Sequence, residues 1–415
     1  MARALFLSLP AAGHINPSLS LVRELAARGE EVVYYATDAF ADKIERARVR
    51  YCPYRNAFLL DMALPEHTHE LSWLLMRTTA ELLAEHLEEF RSERPDYVIT
   101  DSVAPWGQWV GEILGVPVVT SVVTFAFNRH VVAYAASRGV RPKSARLFMS
   151  KVRNLVKAVR LRREVRRRYS ASGPGIMGMV MGSSGLNIIY TSRHFQPSSE
   201  TFDDRFQFIG PSLGDRGETP NFRWTHDKDV LYISLGTLFN ADASFYKNCL
   251  EAFREAQIEV ILSVGSQVSI ESLGPAPANF TVRTHVPQLE VLRRATVFVT
   301  HGGMNSVCEG LGLGVPLVVV PQMSEQAIIG RRVEELGAGV YLGKEGVTAK
   351  TLRDAVQTVL GDARFRQRAG VIRESFESAG GVGRGAEAIL SFIQKKRSLS
   401  ETARGARHQL APDRD

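Results

Sequence analysis

Short apolar runs and longer stretches of helical spacing take turns along most of the chain. Ala4–Leu9, Val32–Ala36, Tyr97–Thr100, Asn187–Thr191 and Phe206–Ile209 read as strands of one sheet. Val230–Leu235, Val260–Val264, Phe280–Arg283, Val297–Thr300 and Val315–Val320 read as strands of a second. Val315–Val320 holds no polar residue, the pattern of a parallel strand covered on both faces. Between the strands, Leu19, Val22 and Ala26 recur at helical spacing, with Asn16 as N-cap, Pro17 at the first helical position and Gly29 closing the helix. Asn305 to Leu313 is helical in pattern and Gly314 closes it; Ala327–Leu336, Ala349–Leu360 and Gly381–Lys396 are further predicted helices. Strand and helix alternating in two series predict an α/β chain with two parallel-sheet domains. The bounds are 1–210 for the first domain, 211–229 for a linker mixing Pro, Gly and charge, and 230–380 for the second. A helix over 381–397 follows, and the polar, unpatterned 398–415 is expected to be a disordered tail.

In such sheets ligands bind outside the carboxyl ends of the strands, so the turns there are where chemistry is sought. His301-Gly302-Gly303 is one such turn. Gly302 and Gly303 let main-chain N–H groups approach a ligand, and the helix that follows adds free N–H groups and the positive end of its dipole. His301, Asn305 and Ser306 add side-chain donors, which together suit a diphosphate. Glu309 shares a helix face with Asn305 and offers a carboxylate to ribose hydroxyls. Glu325 and Gln326, just past the next strand, offer acceptors and an amide to hydroxyl-rich cargo such as a sugar.

In the first half, His14 stands at the tip of the first strand, in a turn that is not G-x-G-x-x-G. An imidazole there can serve as a general base at neutral pH, or can be a turn or capping histidine. Asp101 ends the strand Tyr97–Thr100 and can fix the tautomer of that imidazole or cap the next helix. Asp38, after the second strand, is a rival carboxylate.

Composition narrows the partners. With 415 residues, 45% hydrophobic and 23% charged, the chain reads as a globular protein of more than one domain. A net charge of +7 does not by itself imply nucleic acid. Cys52, Cys249 and Cys308 are widely spaced and suggest neither a disulfide framework nor a metal cage, which fits a reducing cytoplasm. No apolar run is long enough to span a bilayer, and MARALFLSLPAAG reads as a strand and turn rather than a signal peptide. Nine Lys and Arg crowd 151–168, opposed by Glu164 alone. A solvated helix is the preferred reading of this run, with weak contact to an anionic membrane surface as its alternative. Trp73, Leu74, Leu75, Met76, Leu82 and Leu83, and later Phe125, Phe127, Phe148, Met149, Met177 and Met179, are either an adaptable apolar pocket or plain core.

The stretch THGGMNSVCEGLGLGVPLVVVPQMSEQ, preceded by HVPQLEVLRRA at 285–295, resembles the nucleotide-sugar signature of family 1 glycosyltransferases, nearest to the bacterial macrolide and natural-product group. The likeness extends to GHINP, YVITDSVAPWG, HFQP, FIGPS and YISLGT, and so spans nearly the whole chain. It departs from the plant pattern at Val286, where a Trp usually stacks on uracil, and at Glu325-Gln326, usually Asp-Gln, which leaves the sugar open. The resemblance implies the GT-B fold, two Rossmann-like domains facing a cleft, with the last helix crossing back to the first domain. It implies an inverting transfer of a hexose, glucose foremost, from a UDP-sugar to a hydroxyl of a macrolide, polyketide or flavonoid-like acceptor. His14 would be the base and Asp101 its partner. Gly236 and Thr237 would approach the phosphates, and Val286 (through its main chain) and Gln288 would receive base and ribose. No metal and no cofactor beyond the nucleotide-sugar are expected, and the chain is expected to be a monomer or dimer. A TDP-deoxysugar donor and a lipid acceptor are the alternatives.

Overall fold

The computed structural model describes residues 2–55, 68–140, 146–175, 178, 185–214, 222, 229–236 and 240–409. Two all-parallel sheets carry the architecture. The first joins β1 (Arg3–Leu7), β2 (Glu31–Ala36), β3 (Arg50–Pro53), β4 (Tyr97–Asp101), β5 (Val118–Val122), β6 (Leu186–Ile189) and β7 (Phe206–Phe208) in the order β3-β2-β1-β4-β5-β6-β7. The second joins β8 (Val230–Ser234), β9 (Glu259–Ser263), β10 (Phe280–Arg283), β11 (Ala295–Thr300), β12 (Leu317–Val319) and β13 (Gly339–Tyr341) in the order β10-β9-β8-β11-β12-β13. In each sheet the winding reverses once, between β1 and β4 and between β8 and β11. Crevices open at such reversals, because the crossovers on either side leave in opposite directions. This is the two-sheet GT-B arrangement. β3, β5 and β13 were not anticipated: they are short, and Arg50–Pro53 and Gly339–Tyr341 are not uniformly apolar.

Helices cover both faces. In Thr68–Ser92, the residues Leu74, Leu75, Met76, Leu82 and Leu83 are buried with Trp106 and Trp109 against the first sheet. They are core rather than pocket lining, as their apolar stripe demands once a sheet lies beneath it. Met177 and Met179 lie outside the described residues, as do the side chains of Phe148 and Met149. The basic helix Arg146–Tyr169 packs on Thr68–Ser92 through Asn154, Ala158 and Val165, and turns Arg153, Arg160, Arg163 and Arg167 outward. No described helix is long and apolar enough to cross a membrane.

The first helix begins at Ala12, earlier than its sequence suggests, and contains Pro17 in its interior. The last helix runs Gly381–Gln409, so 398–409 is helical where a structureless tail was expected. Ala386, Ile389 and Ile393 of that helix are buried in the core of the first domain beside Leu21 and Ile209. Gly381 N donates to Ile209 O at 2.8 Å and Arg397 pairs with Asp96 at 2.6 Å. The two domains also meet through aromatic rings. Phe195 lies 5.5 Å from Phe125 and 5.9 Å from Phe376, ring centre to ring centre. Around them Ser192 and Ser375 exchange a hydrogen bond of 2.8 Å, and Arg332 donates to the carbonyls of His194 and Phe195.

Candidate active site

Both winding reversals carry a histidine. After β1, the turn Pro10–Ala11 feeds straight into the helix, and His14 sits in its first turn, its N–H on Ala11 O at 2.9 Å. Asp101 ends β4, the strand beside β1. The register that pairs Leu7 with Thr100 therefore sets His14 and Asp101 side by side. His14 Nδ1 and Asp101 Oδ2 are 2.9 Å apart. Asp101 is 1% exposed, and its other oxygen accepts from Val103 N at 2.8 Å. A buried carboxylate with one oxygen on a main-chain N–H and the other on an imidazole holds the Nδ1–H tautomer and leaves Nε2 basic. Burial pulls the His14 pKa down, but the Asp101 charge, the hydrogen bond and the Glu325 carboxylate outweigh it, and the net shift is upward from 6.5. Asp38 plays no part: it is exposed and accepts from Tyr51.

After β11, His301 is built differently. Its Nδ1 is buried without a hydrogen-bond partner among the described residues, and burial pushes its pKa down to about 4, so it is neutral at pH 7. The ring is walled by two glycines. Gly236, after β8, has φ +78, and a Cβ there would lie 2.6 Å from His301 Cε1. A Cβ on Gly303 would lie 2.4 Å from Nε2. The ring can stand between β8 and β11 because both positions lack side chains. Gly236 is held in turn by Asn240, whose amide donates to its carbonyl at 2.8 Å. Thr237 lies outside the described residues.

The helix Met304–Gly312 starts at Gly303 with no side-chain cap, so its first N–H groups have no side-chain acceptor at that position. Ser306, Glu309 and Gln288 form one cluster. Gln288 Nε2 lies 2.6 Å from Glu309 Oε2 and 3.4 Å from Ser306 Oγ, and its Oε1 accepts from Tyr232 OH at 3.0 Å. Asn305 points elsewhere: its amide donates to Gly13 O, in the first domain, at 2.7 Å. The Val286 side chain is buried in the core, so its main chain alone is left for a ligand. Gln326 Oε1 is occupied by Gln322 N and Met323 N at the start of Ser324–Glu335, which leaves its NH2 for other partners. Glu325 faces His14 closely enough that each charge shifts the other; burial raises the Glu325 pKa and the imidazole offsets this in part. Among the described residues no His, Cys, Asp and Glu gather as a metal would need.

Tyr232 and Asn240 escaped the sequence. Each holds a motif residue, Tyr232 the Gln288 side chain and Asn240 the Gly236 carbonyl, and an aromatic in a strand or an Asn after a turn is too common to signal that.

The family model for the C-terminal domain of erythromycin biosynthesis protein CIII-like proteins matches residues 247–380. NDP-glycosyltransferase YjiC of Bacillus subtilis (strain 168) is 37% identical over 94% of this chain and 97% of its own. The chain belongs to this glycosyltransferase family. Demethyllactenocin mycarosyltransferase of Streptomyces fradiae is 33% identical over 95% of the transferase and 87% of its own length. Among solved structures, CalG4, the calicheamicin glycosyltransferase, superposes with a TM-score of 0.77 at 29% identity, over 95% of the transferase and 98% of CalG4. The transferase is thus of the macrolide and natural-product type, and its two histidine-bearing reversals face each other across the GT-B cleft.

Proposed function

We propose that the transferase moves a hexose, glucose foremost, from a UDP-sugar to a hydroxyl of an apolar natural product, with inversion and with His14 as general base. The observation that carries this reading is the His14–Asp101 pair, 2.9 Å long, which commits Nδ1 to the carboxylate and leaves Nε2 without a hydrogen bond among the described residues. Nε2 takes the proton of the acceptor hydroxyl as its oxygen bonds to the anomeric carbon. The bond from that carbon to the diphosphate oxygen breaks on the opposite face, and the electron pair leaves with the nucleotide. The start of Met304–Gly312, the neutral His301 and Ser306 supply dipoles where that charge develops, which is electrostatic stabilisation by groups already in place. Glu309 and Gln288 suit the ribose hydroxyls, and Glu325 and the Gln326 amide suit the sugar. With the diphosphate met by fixed dipoles, transfer proceeds without a divalent ion and survives excess EDTA. Cys52, Cys249 and Cys308 are all free thiols, which fits work in the cytoplasm.

His14→Ala tests the base. Transfer to an aliphatic alcohol should fall about 10²–10⁴-fold, the usual share of a positioned base. An acidic phenol, which is already partly ionised, should lose far less. Unchanged turnover on the alcohol would remove His14 from this role. A TDP-deoxysugar donor is the second reading, favoured by the mycarosyltransferase among the relatives. Competing UDP-glucose with a TDP-sugar on one acceptor decides between them.

A further inference from the structure

Asn305 and Pro17 are joined by something neither motif announces. A helical residue normally gives its N–H to the carbonyl four residues back, and proline has none to give. Pro17 therefore leaves Gly13 O without its donor inside the helix Ala12–Ala27. That oxygen accepts instead from Asn305 Nδ2 at 2.7 Å, from the other domain. Pro17 and Asn305 also line one small interdomain cavity, of about 10 Å³, with Tyr190 and Glu309. Gly13 O belongs to the peptide plane that joins Gly13 to His14, so whatever fixes this oxygen fixes the backbone from which the imidazole projects.

We propose that Asn305 is a positioning residue for His14, tying the turn that carries the base to the helix end that receives the diphosphate. An amide nitrogen carries two hydrogens. One of them is taken by Gly13 O, and the side chain that gives it is rooted in the first turn of Met304–Gly312. A single side chain can thus set the distance between the base and the leaving group. The inference rests on His14 being the base, as proposed above.

Asn305→Ala separates this role from plain diphosphate binding. Three quantities are measured: transfer to an aliphatic alcohol, transfer to an acidic phenol, and UDP affinity by calorimetry. A base displaced by a fraction of an ångström should lose about 10- to 100-fold in kcat on the alcohol. The phenol should lose less than about threefold, because it needs little help from a base, and UDP affinity should change by less than about threefold. Equal losses on both acceptors, with a matching loss of UDP affinity, would overturn the proposal and leave Asn305 a phosphate ligand. Pro17→Ala leaves Asn305 intact and returns an N–H to Gly13 O. It should show the same preference for the phenol in weaker form, and it carries the test should Asn305→Ala not fold. Identical acceptor preference in folded Pro17→Ala and wild type would overturn the proposal. Full turnover of His14→Ala on the alcohol would instead refute the base assignment on which it rests.

Discussion

Asp101→Asn puts the sharpest strain on the proposed chemistry, because the structure dictates what the new amide must do. Both carboxylate oxygens are acceptors now, one for Val103 N at 2.8 Å and one for His14 Nδ1 at 2.9 Å. Asparagine keeps a single acceptor oxygen. If that oxygen faces His14, the NH2 group opposes the Val103 N–H in a buried setting, two donors against each other. If it stays on Val103, the NH2 group donates to Nδ1 and drives the imidazole proton to Nε2. The second arrangement satisfies every group and leaves no lone pair at the cleft. A base held in the wrong tautomer loses about 10³–10⁴-fold in turnover in comparable triads, or about 4–5 kcal/mol of barrier. The substitution also removes the charge and hydrogen bond that raise His14, so burial prevails and the imidazole pKa falls. Because the neutral ring is the active form, wild-type kcat/KM should climb with pH through a midpoint above 6.5. The variant's remaining rate should climb through a lower one. Initial rates from pH 5 to 9 with an aliphatic alcohol as acceptor measure both. A variant within tenfold of wild type across that range would refute the assignment of Asp101 as the partner of the base.

Three further outcomes are expected. Gly236→Ala places a methyl against the His301 ring and forces a positive φ on a residue with a Cβ; it should destabilise by about 1–3 kcal/mol and weaken UDP binding, measured by thermal melts and calorimetry. His301 is depressed to about 4 when folded and near 6.5 when unfolded. Its contribution to stability is therefore complete above pH 6.5 and is lost as pH falls towards 4, by about 2–3 kcal/mol, and His301→Gln should lose less over that window in denaturant titrations. Tyr232→Phe frees Gln288 Oε1 and should weaken binding of the nucleotide by about 3- to 10-fold, with kcat at saturating donor little changed, as loss of one orienting hydrogen bond implies.

The fold could be read because its evidence is local. Val297–Thr300 and Val315–Val320 are apolar throughout, and parallel strands covered on both faces leave that mark. His14, Asp101 and His301 could be singled out for the same reason: Asp101 ends a strand, His301 directly follows one and His14 comes just past the turn after one, where this architecture gathers its ligands. What stayed hidden depends on partners far off in sequence. Asn305 reads as a phosphate donor until Gly13, 292 positions away, is seen to hold its amide. Pro17 suits a first helical position and an interior one equally, since the missing N–H is harmless at a helix start and here is replaced across the cleft. Gln326 offers a free amide on paper, but the turn before its helix takes the oxygen. The residues 398–409 carry good helix formers without an apolar stripe, so periodicity has nothing to detect there.

The last helix has a consequence for how the molecule is made. Ala386, Ile389 and Ile393 lie in the core of the first domain, and each isoleucine contributes about 1.5–3 kcal/mol by leaving water. A ribosome releases those residues only after the second domain, so the front half emerges with a hole where they belong and waits through the synthesis of that domain. A gene cut at the linker would yield an amino-terminal fragment missing part of its own interior. Halves exchanged between relatives should therefore be joined with this helix kept beside the front domain it completes.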